Sequence, residues 1–180
     1  MIRSLTEIEA MILKAARGAG MPLGHAEDFA VAGRFLAATR PAQLDAIGTA
    51  LGADLAPAKL QNDCLIDDAA TAMSAPLAID TMLCGAAKIT LQGVDAPALF
   101  HAYLAVACHE RGLQVDVLHN GRTITLTASS EVEVLRAKSA AVEVSDEIWT
   151  VWDSYAANTY VPATEASRLA GAGAGLTDND

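Results

Sequence analysis

Residues 87–126 read AKITLQGVDAPALFHAYLAVACHERGLQVDVLHNGRTITL, and the periodicities in this stretch decide the fold. Ala87, Ile89 and Leu91 alternate with Lys88, Thr90 and Gln92, the period-two pattern of a strand buried on one face. Asp95 stands where a helix N-cap belongs, with Pro97 in the first turn. Leu99, Ala102, Tyr103 and Val106 then line a buried helical face until Gly112 stops the run. Leu113, Val115 and Val117 predict the next strand. Asn120-Gly121 signals a type I′ hairpin, and Ile124 and Leu126 return on the partner strand. The order β-α-β-β makes the chain α+β with a small sheet.

Upstream the pattern is helical. Ser4 and Glu7 form an S-x-x-E capping box, in which hydroxyl and carboxylate satisfy amide donors that the first turn leaves free. Ile8, Met11, Ile12 and Ala15 follow at helical spacing, and Gly18 with Gly20 ends the helix. A second helix is expected from Gly24 to Ala38, with Phe29, Ala32, Gly33 and Leu36 on one face. Gly33 there implies a close helix crossing, since glycine forfeits roughly 1 kcal/mol of propensity against alanine. Pro41 opens a third helix through Leu51. Residues 1–52 thus read as a three-helix head and 53–158 as the α+β core.

Pro57 and Pro76 bracket an expected helix near Asp63 to Met73. Glu131 to Val144 fits either a capped helix or a strand. Asp146 to Asn158 reads as a C-terminal helix with Ile148, Val151, Trp152 and Tyr155 inward. Residues 159–180 form a tail, TYVPATEASRLAGAGAGLTDND, with a short helix expected over Glu165 to Leu169 before the Gly-Ala run. The whole reads as one compact domain whose tail packs on the body or on a neighbouring subunit.

A chain of 180 residues that is 52% hydrophobic but only 4% aromatic builds its core from Ala, Leu, Val and Ile. Its 22 acidic and 12 basic residues leave a net charge of −10, which argues against nucleic-acid and anionic-membrane surfaces. Cys64, Cys84 and Cys108 are odd in number and far apart, so reduced thiols in a cytoplasmic protein are expected rather than a disulfide framework. No apolar run approaches the roughly 20 residues of a spanning helix.

Candidate chemistry is sparse. His101, Cys108 and His109 share the central helix, but without a tight ligand pair Cys108 reads more naturally as core than as ligand or nucleophile. Asp63, Asp67 and Asp68 would set two carboxylates on one helix face, for Mg²⁺ or acid–base work, or simply as a solvated face. Lys14 and Arg17 before Gly18 and Gly20 offer a cationic place for a carboxylate or phosphate, joined by Arg168 from the tail. The alternative is that Lys14 and Arg17 complement the first helix's dipole. GAGAG at 171–175 follows no strand and opens no helix, so it is not a dinucleotide loop. No metal site and no cofactor is assigned.

LTEIEAMILKAARGAG (5–20), GHAED (24–28) and TYVPATEASRLAGAGAGLTDND (159–180) together resemble the bacterial family called domain of unknown function 3726. That resemblance implies a bacterial cytoplasmic protein and carries no catalytic residues with it. The first helix pair is also similar to the opening of the malate/L-lactate dehydrogenase-type NAD(P)-dependent reductases. Their substrate-facing Ser-His-Gly is replaced here by AATRPAQ, and the chain has about half their length. The expectation is a self-associating or accessory subunit in small-molecule metabolism, a homo-oligomer or a partner of an enzyme subunit, with a small anionic metabolite as ligand. A free-standing enzyme using His101, His109 or the Asp63–Asp68 carboxylates is the alternative, and a companion subunit of the reductases is another.

Overall fold

The computed structural model describes residues 1–62, 65–67, 70–129 and 141–159. Among them the helices are α1 (Leu5–Gly18), α2 (Leu23–Thr39), α3 (Asp45–Leu51), α4 (Thr71–Leu83), α5 (Pro97–Arg111) and α6 (Asp146–Ala156), with single 3₁₀ turns at Pro41–Gln43 and Ala157–Thr159. The strands are β1 (Ile2–Arg3), β2 (Leu60–Gln61), β3 (Leu65–Ile66), β4 (Lys88–Leu91), β5 (Val115–Asn120), β6 (Thr123–Ala128) and β7 (Val142–Glu143). The class is α+β, as the central stretch predicts.

Five strands form one sheet in the order β2-β3-β4-β6-β5, with β3 parallel to β4 and the other neighbours antiparallel. The β4-α5-β5 crossover leaves a gap that β6 fills, pairing Ile89 with Leu126 and Leu91 with Ile124 on the buried face. That alternation is the one read from residues 87–126, although Ala87 itself is exposed. Thr90 and Thr125 face each other on the open side, with their hydroxyls 3.4 Å apart.

The helical side is built as its pattern dictates. The capping box is present, with Ser4 N–H donating to Glu7 Oε2 at 2.9 Å and Glu7 N–H to Ser4 Oγ at 3.2 Å. Ile8, Ile12, Ala15 and Ala16 are buried against α2 and α6. Gly33 allows the close crossing expected of it, because a Cβ there would meet Ile12 Cδ1 at 2.7 Å and Ile47 Cδ1 at 3.4 Å. The N-terminus is tied down: β1 pairs with β7, the Met1 ammonium donates to the Val144 carbonyl at 2.7 Å, and Arg3 stacks 4.4 Å over the Trp149 ring. One contiguous apolar cluster runs from Ile8 to Trp152.

Four expectations are corrected. The helix placed near Asp63 to Met73 is not there: Leu65 and Ile66 join the sheet beside β4, Asp67 is exposed coil, and α4 starts at Thr71 and runs through Pro76. Two β residues with sheet partners outweigh a weak helical pattern, since sheet pairing is tertiary and invisible in a local window. Asp95 does not cap α5, whose N-cap is Ala96 without a side-chain bond. It accepts instead from the Thr71 amide of α4 at 2.8 Å. The hairpin turn is shifted by one residue. Asn120 pairs with Thr123, so Gly121 and Arg122 are central, and only Gly121 has positive φ (62°), the signature of type II′ rather than I′. In α6, Val151 is 43% exposed, and the inward stripe is Ile148, Trp149, Trp152, Tyr155 and Ala156. Most of Glu131 to Val144, Asp63, Asp68, Arg168 and the Gly-Ala tail lie outside the described residues.

Candidate functional site

Polar groups cluster where α5 meets its neighbours. On the sheet side, α5 carries His101 at a half-buried position, and β5 brings His119 against it with ring centroids 5.5 Å apart in an edge-on arrangement. His119 is in phase with Val115 and Val117 on β5, so it faces the helix layer by strand alternation. Its Nε2 lies 2.6 Å from the Gly121 carbonyl, which steadies the imidazole over the hairpin turn. Burial holds His101 below the ordinary histidine range, and repulsion from His119 and Arg40 acts in the same direction. Among the described residues no ion pair reaches Arg40 or either ring.

On the opposite side, α5 presents Tyr103, whose phenol is buried without a hydrogen-bond partner. Burial, and then the charge of Asp28 on α2, push it well above 10. Asp28 is itself raised by desolvation, which outweighs the lowering by His25 and Arg111. His25 Nδ1 is likewise buried and unpartnered. Arg111 at the end of α5 binds Asp80 of α4 at 2.6 Å, closing this side.

A third polar knot is structural. The Thr71 hydroxyl donates to Asp95 Oδ1 and accepts the Ala96 amide at 3.2 Å, while Asp95 also takes the Thr71 amide. One carboxylate and one hydroxyl thereby fasten the starts of α4 and α5 together. Arg122 does the same for the loop before α5, donating to the carbonyls of Val94 (3.2 Å) and Gly93 (2.7 Å).

The candidates read from sequence are dispersed. His109 is exposed in the last turn of α5, and Cys108 packs half-buried against the core. Among the described residues no ion pair joins His109 to the His101–His119 contact. Lys14 and Arg17 are exposed at the end of α1. Gly18 beside them serves packing, because a Cβ there would sit 1.8 Å from the Tyr155 carbonyl oxygen, and Asn158 Nδ2 donates to the Gly18 carbonyl at 3.1 Å. Among the described residues no three His, Cys, Asp or Glu side chains converge on a metal position, and no helix is long and apolar enough to cross a membrane. A shallow cleft of about 680 Å³ between the end of α2 and β7 is lined mainly by Ala37, Ala38, Pro41, Leu44 and Ile148, without a reactive pair.

Sequence reasoning passed over His119, Arg40, Tyr103 and Asp28 as site residues. His119 was within reach, since extending the alternation of Val115 and Val117 puts it on the helix side. The other three depend on which helix faces which.

Residues 3–49 match the family model described as Protein of unknown function (DUF3726). The matched stretch is well under half of the chain. The match bears out the resemblance read from its N-terminal residues and ends well before the C-terminal ones. No curated protein and no solved structure matches the chain. In structural terms the matched stretch is Arg3 of β1, α1, α2 and most of α3, the layer on which α5 and α6 pack. It contains Gly18, Gly33, His25, Asp28 and Arg40.

Proposed function

We propose that the protein is a self-associating or accessory subunit, a binding component rather than a free-standing enzyme. One observation supports this above the others: the polar bonds of Thr71, Asp95 and Arg122 fasten helix starts and loops, while consecutive large apolar side chains, Val117 and Leu118, stand 39% and 69% exposed on the terminal strand of the sheet. Solvent-facing hydrophobes in adjacent positions of an edge strand are an association feature. The test is the mass of the purified full chain across a concentration series, by light scattering and native mass spectrometry. A monomer at every concentration, with no partner retained, removes the reading.

The small-anion part of the expectation rests on Lys14 and Arg17, which are exposed and outside every described ion pair. The partial negative charge at the end of α1 accounts for them equally well. A phosphate titration followed by NMR decides between the two, since a bound anion shifts the amides of residues 14–20 saturably and the dipole role leaves them still. A second ligand reading is favoured by the unpartnered Tyr103 hydroxyl and His25 Nδ1 beside Asp28. A small molecule bound at the Tyr103 hydroxyl would supply its missing partner, and native mass spectrometry would detect it as a retained metabolite lost in Tyr103→Phe.

A further inference from the structure

We infer that β5 pairs antiparallel with β5 of a second copy about a two-fold axis at Leu118, joining the two sheets into one. This rests on the self-association reading and adds the surface, register and partner.

The orientation of β5's backbone follows from its hairpin. The Ala128 amide donates to the Ala87 carbonyl at 3.0 Å, so Ala128, and with it Leu126 and Ile124, turn their backbone groups toward β4. Thr123, Thr125 and Thr127 therefore bond to Asn120, Leu118 and Asp116, by the alternation of an antiparallel ladder. Val115, Val117 and His119 are left with amides and carbonyls pointing off the sheet, where no described strand meets them. The edge carries few of the usual protections: residues 115–120 read VDVLHN, with one charge, Asp116, and no lysine or proline, and the register with β6 has no bulge.

Symmetry restricts the partner. A two-fold that keeps the strands antiparallel stands perpendicular to the sheet and keeps each copy's helices on the same side. Residues then pair only with residues of their own face. Centred on Leu118, the outer face sets Leu118 against the Leu118 of the second copy, flanked on both sides by Asp116 opposite Asn120, carboxylate to amide. On the inner face Val117 meets His119, and these two exchange the free backbone bonds. Centring on Val117 instead would add backbone bonds but lay each Leu118 against an Asp116 carboxylate. Cross-strand pairing of like with like favours the Leu118 axis.

The helix layer fits the same axis. Of the half-buried residues of α5, Ala98, His101, Ala105 and Cys108 fall on one side, and the His101–His119 contact brings the first part of that side against β5. The two-fold turns these stripes of the two copies toward each other, and alanines at 98 and 105 permit close approach. Two six-residue strands alone fall short of the roughly 1,200 Å² of a stable interface, so the helices supply the remainder.

The experiment uses the full chain in a Cys84→Ser background, since Cys84 is exposed. Directly opposed residues of a non-hydrogen-bonded pair lie about 4.5 Å apart at Cα, within disulfide range. Leu118→Cys should oxidise to a covalent dimer linked through position 118, identified by peptide mass spectrometry, whereas Thr127→Cys, one strand inward, should not. Leu118→Lys should weaken dimerisation at least tenfold while its circular dichroism stays unchanged. Cross-linking of Val117→Cys in place of Leu118→Cys would overturn the register. A dimer that survives Leu118→Lys without cross-linking at 118, or one lost on truncation after residue 159 alone, would overturn the β5 surface and leave self-association standing. A monomeric unmodified chain would overturn both.

Discussion

The junction of α1 with α6 and the β5 edge are opposite solutions to the same shortage of large side chains. At the junction, Gly18 lets the Tyr155 carbonyl approach where a Cβ would stand, and Trp152 is fully buried beside it in the same core. At the edge, Val117 and Leu118 have side chains to bury and nothing described to bury them against. An alanine-rich chain gains burial by bringing backbones together, and where no backbone is supplied from within, apolar surface is left over. The contrast separates what this chain completes alone from what it leaves for a partner.

The sharpest way to break the comparison is Gly18→Ala. The added methyl meets backbone rather than a movable side-chain end, so α6 must shift, and a loss of about 3 kcal/mol is expected from overpacking. Urea unfolding monitored by Trp fluorescence measures it. Stability within error of the unmodified chain would mean that the junction is as loose as the edge. Next in size is Thr71→Val, which removes a hydroxyl that is fully buried and bonded at both ends of the α4–α5 clasp. It strands the Ala96 amide and one Asp95 contact, and about 2 kcal/mol should be lost in the same assay.

Gly33→Ala sharpens the point by its smallness. The neighbour at 2.7 Å is Ile12 Cδ1, the mobile end of a side chain, and alanine returns roughly 1 kcal/mol of helix propensity. The net change should fall within about 1 kcal/mol of zero, well below that of Gly18→Ala. Equal losses at the two glycines would show that close backbone approach is not what distinguishes the junction.

These two glycines also show how far sequence reaches. Gly33 lies inside a helical stripe, and a glycine on a buried face announces a crossing, which the structure shows. Gly18 looked like a helix stop with a cationic neighbour, because its partner is the carbonyl of Tyr155, far along the chain. The same division runs through the fold. The Ser4–Glu7 box, the alternation of β4 and most of the α5 stripe are local and were legible, although Val106, expected on the buried face, is only half-buried while Phe100, Leu104 and Ala107 are buried. The strand at Leu65–Ile66, the service of Asp95 to α4 and the meeting of His101 with His119 are pairings across the fold. The turn shifted by one residue because Asn-Gly names a preference, whereas the pairing of Asn120 with Thr123 fixes which residues are central.

The smallest expected effect probes the place where α5 touches β5, the contact of His101 with His119. His101 is held below the ordinary 6.5 by burial first, then by His119 and Arg40. The folded chain therefore binds fewer protons there than the unfolded chain. The resulting stability is present above the unfolded value and is lost as pH falls through the lowered folded one. Two measurements follow: the His101 C2 proton should titrate with a midpoint below 6.5, and unfolding free energy should decline less steeply with acidification in His101→Gln than in the unmodified chain. A His101 midpoint at or above the ordinary value would mean that water reaches the ring freely. The open character of the β5 edge would then extend under α5, and the helix would have no closed flank to offer a second copy.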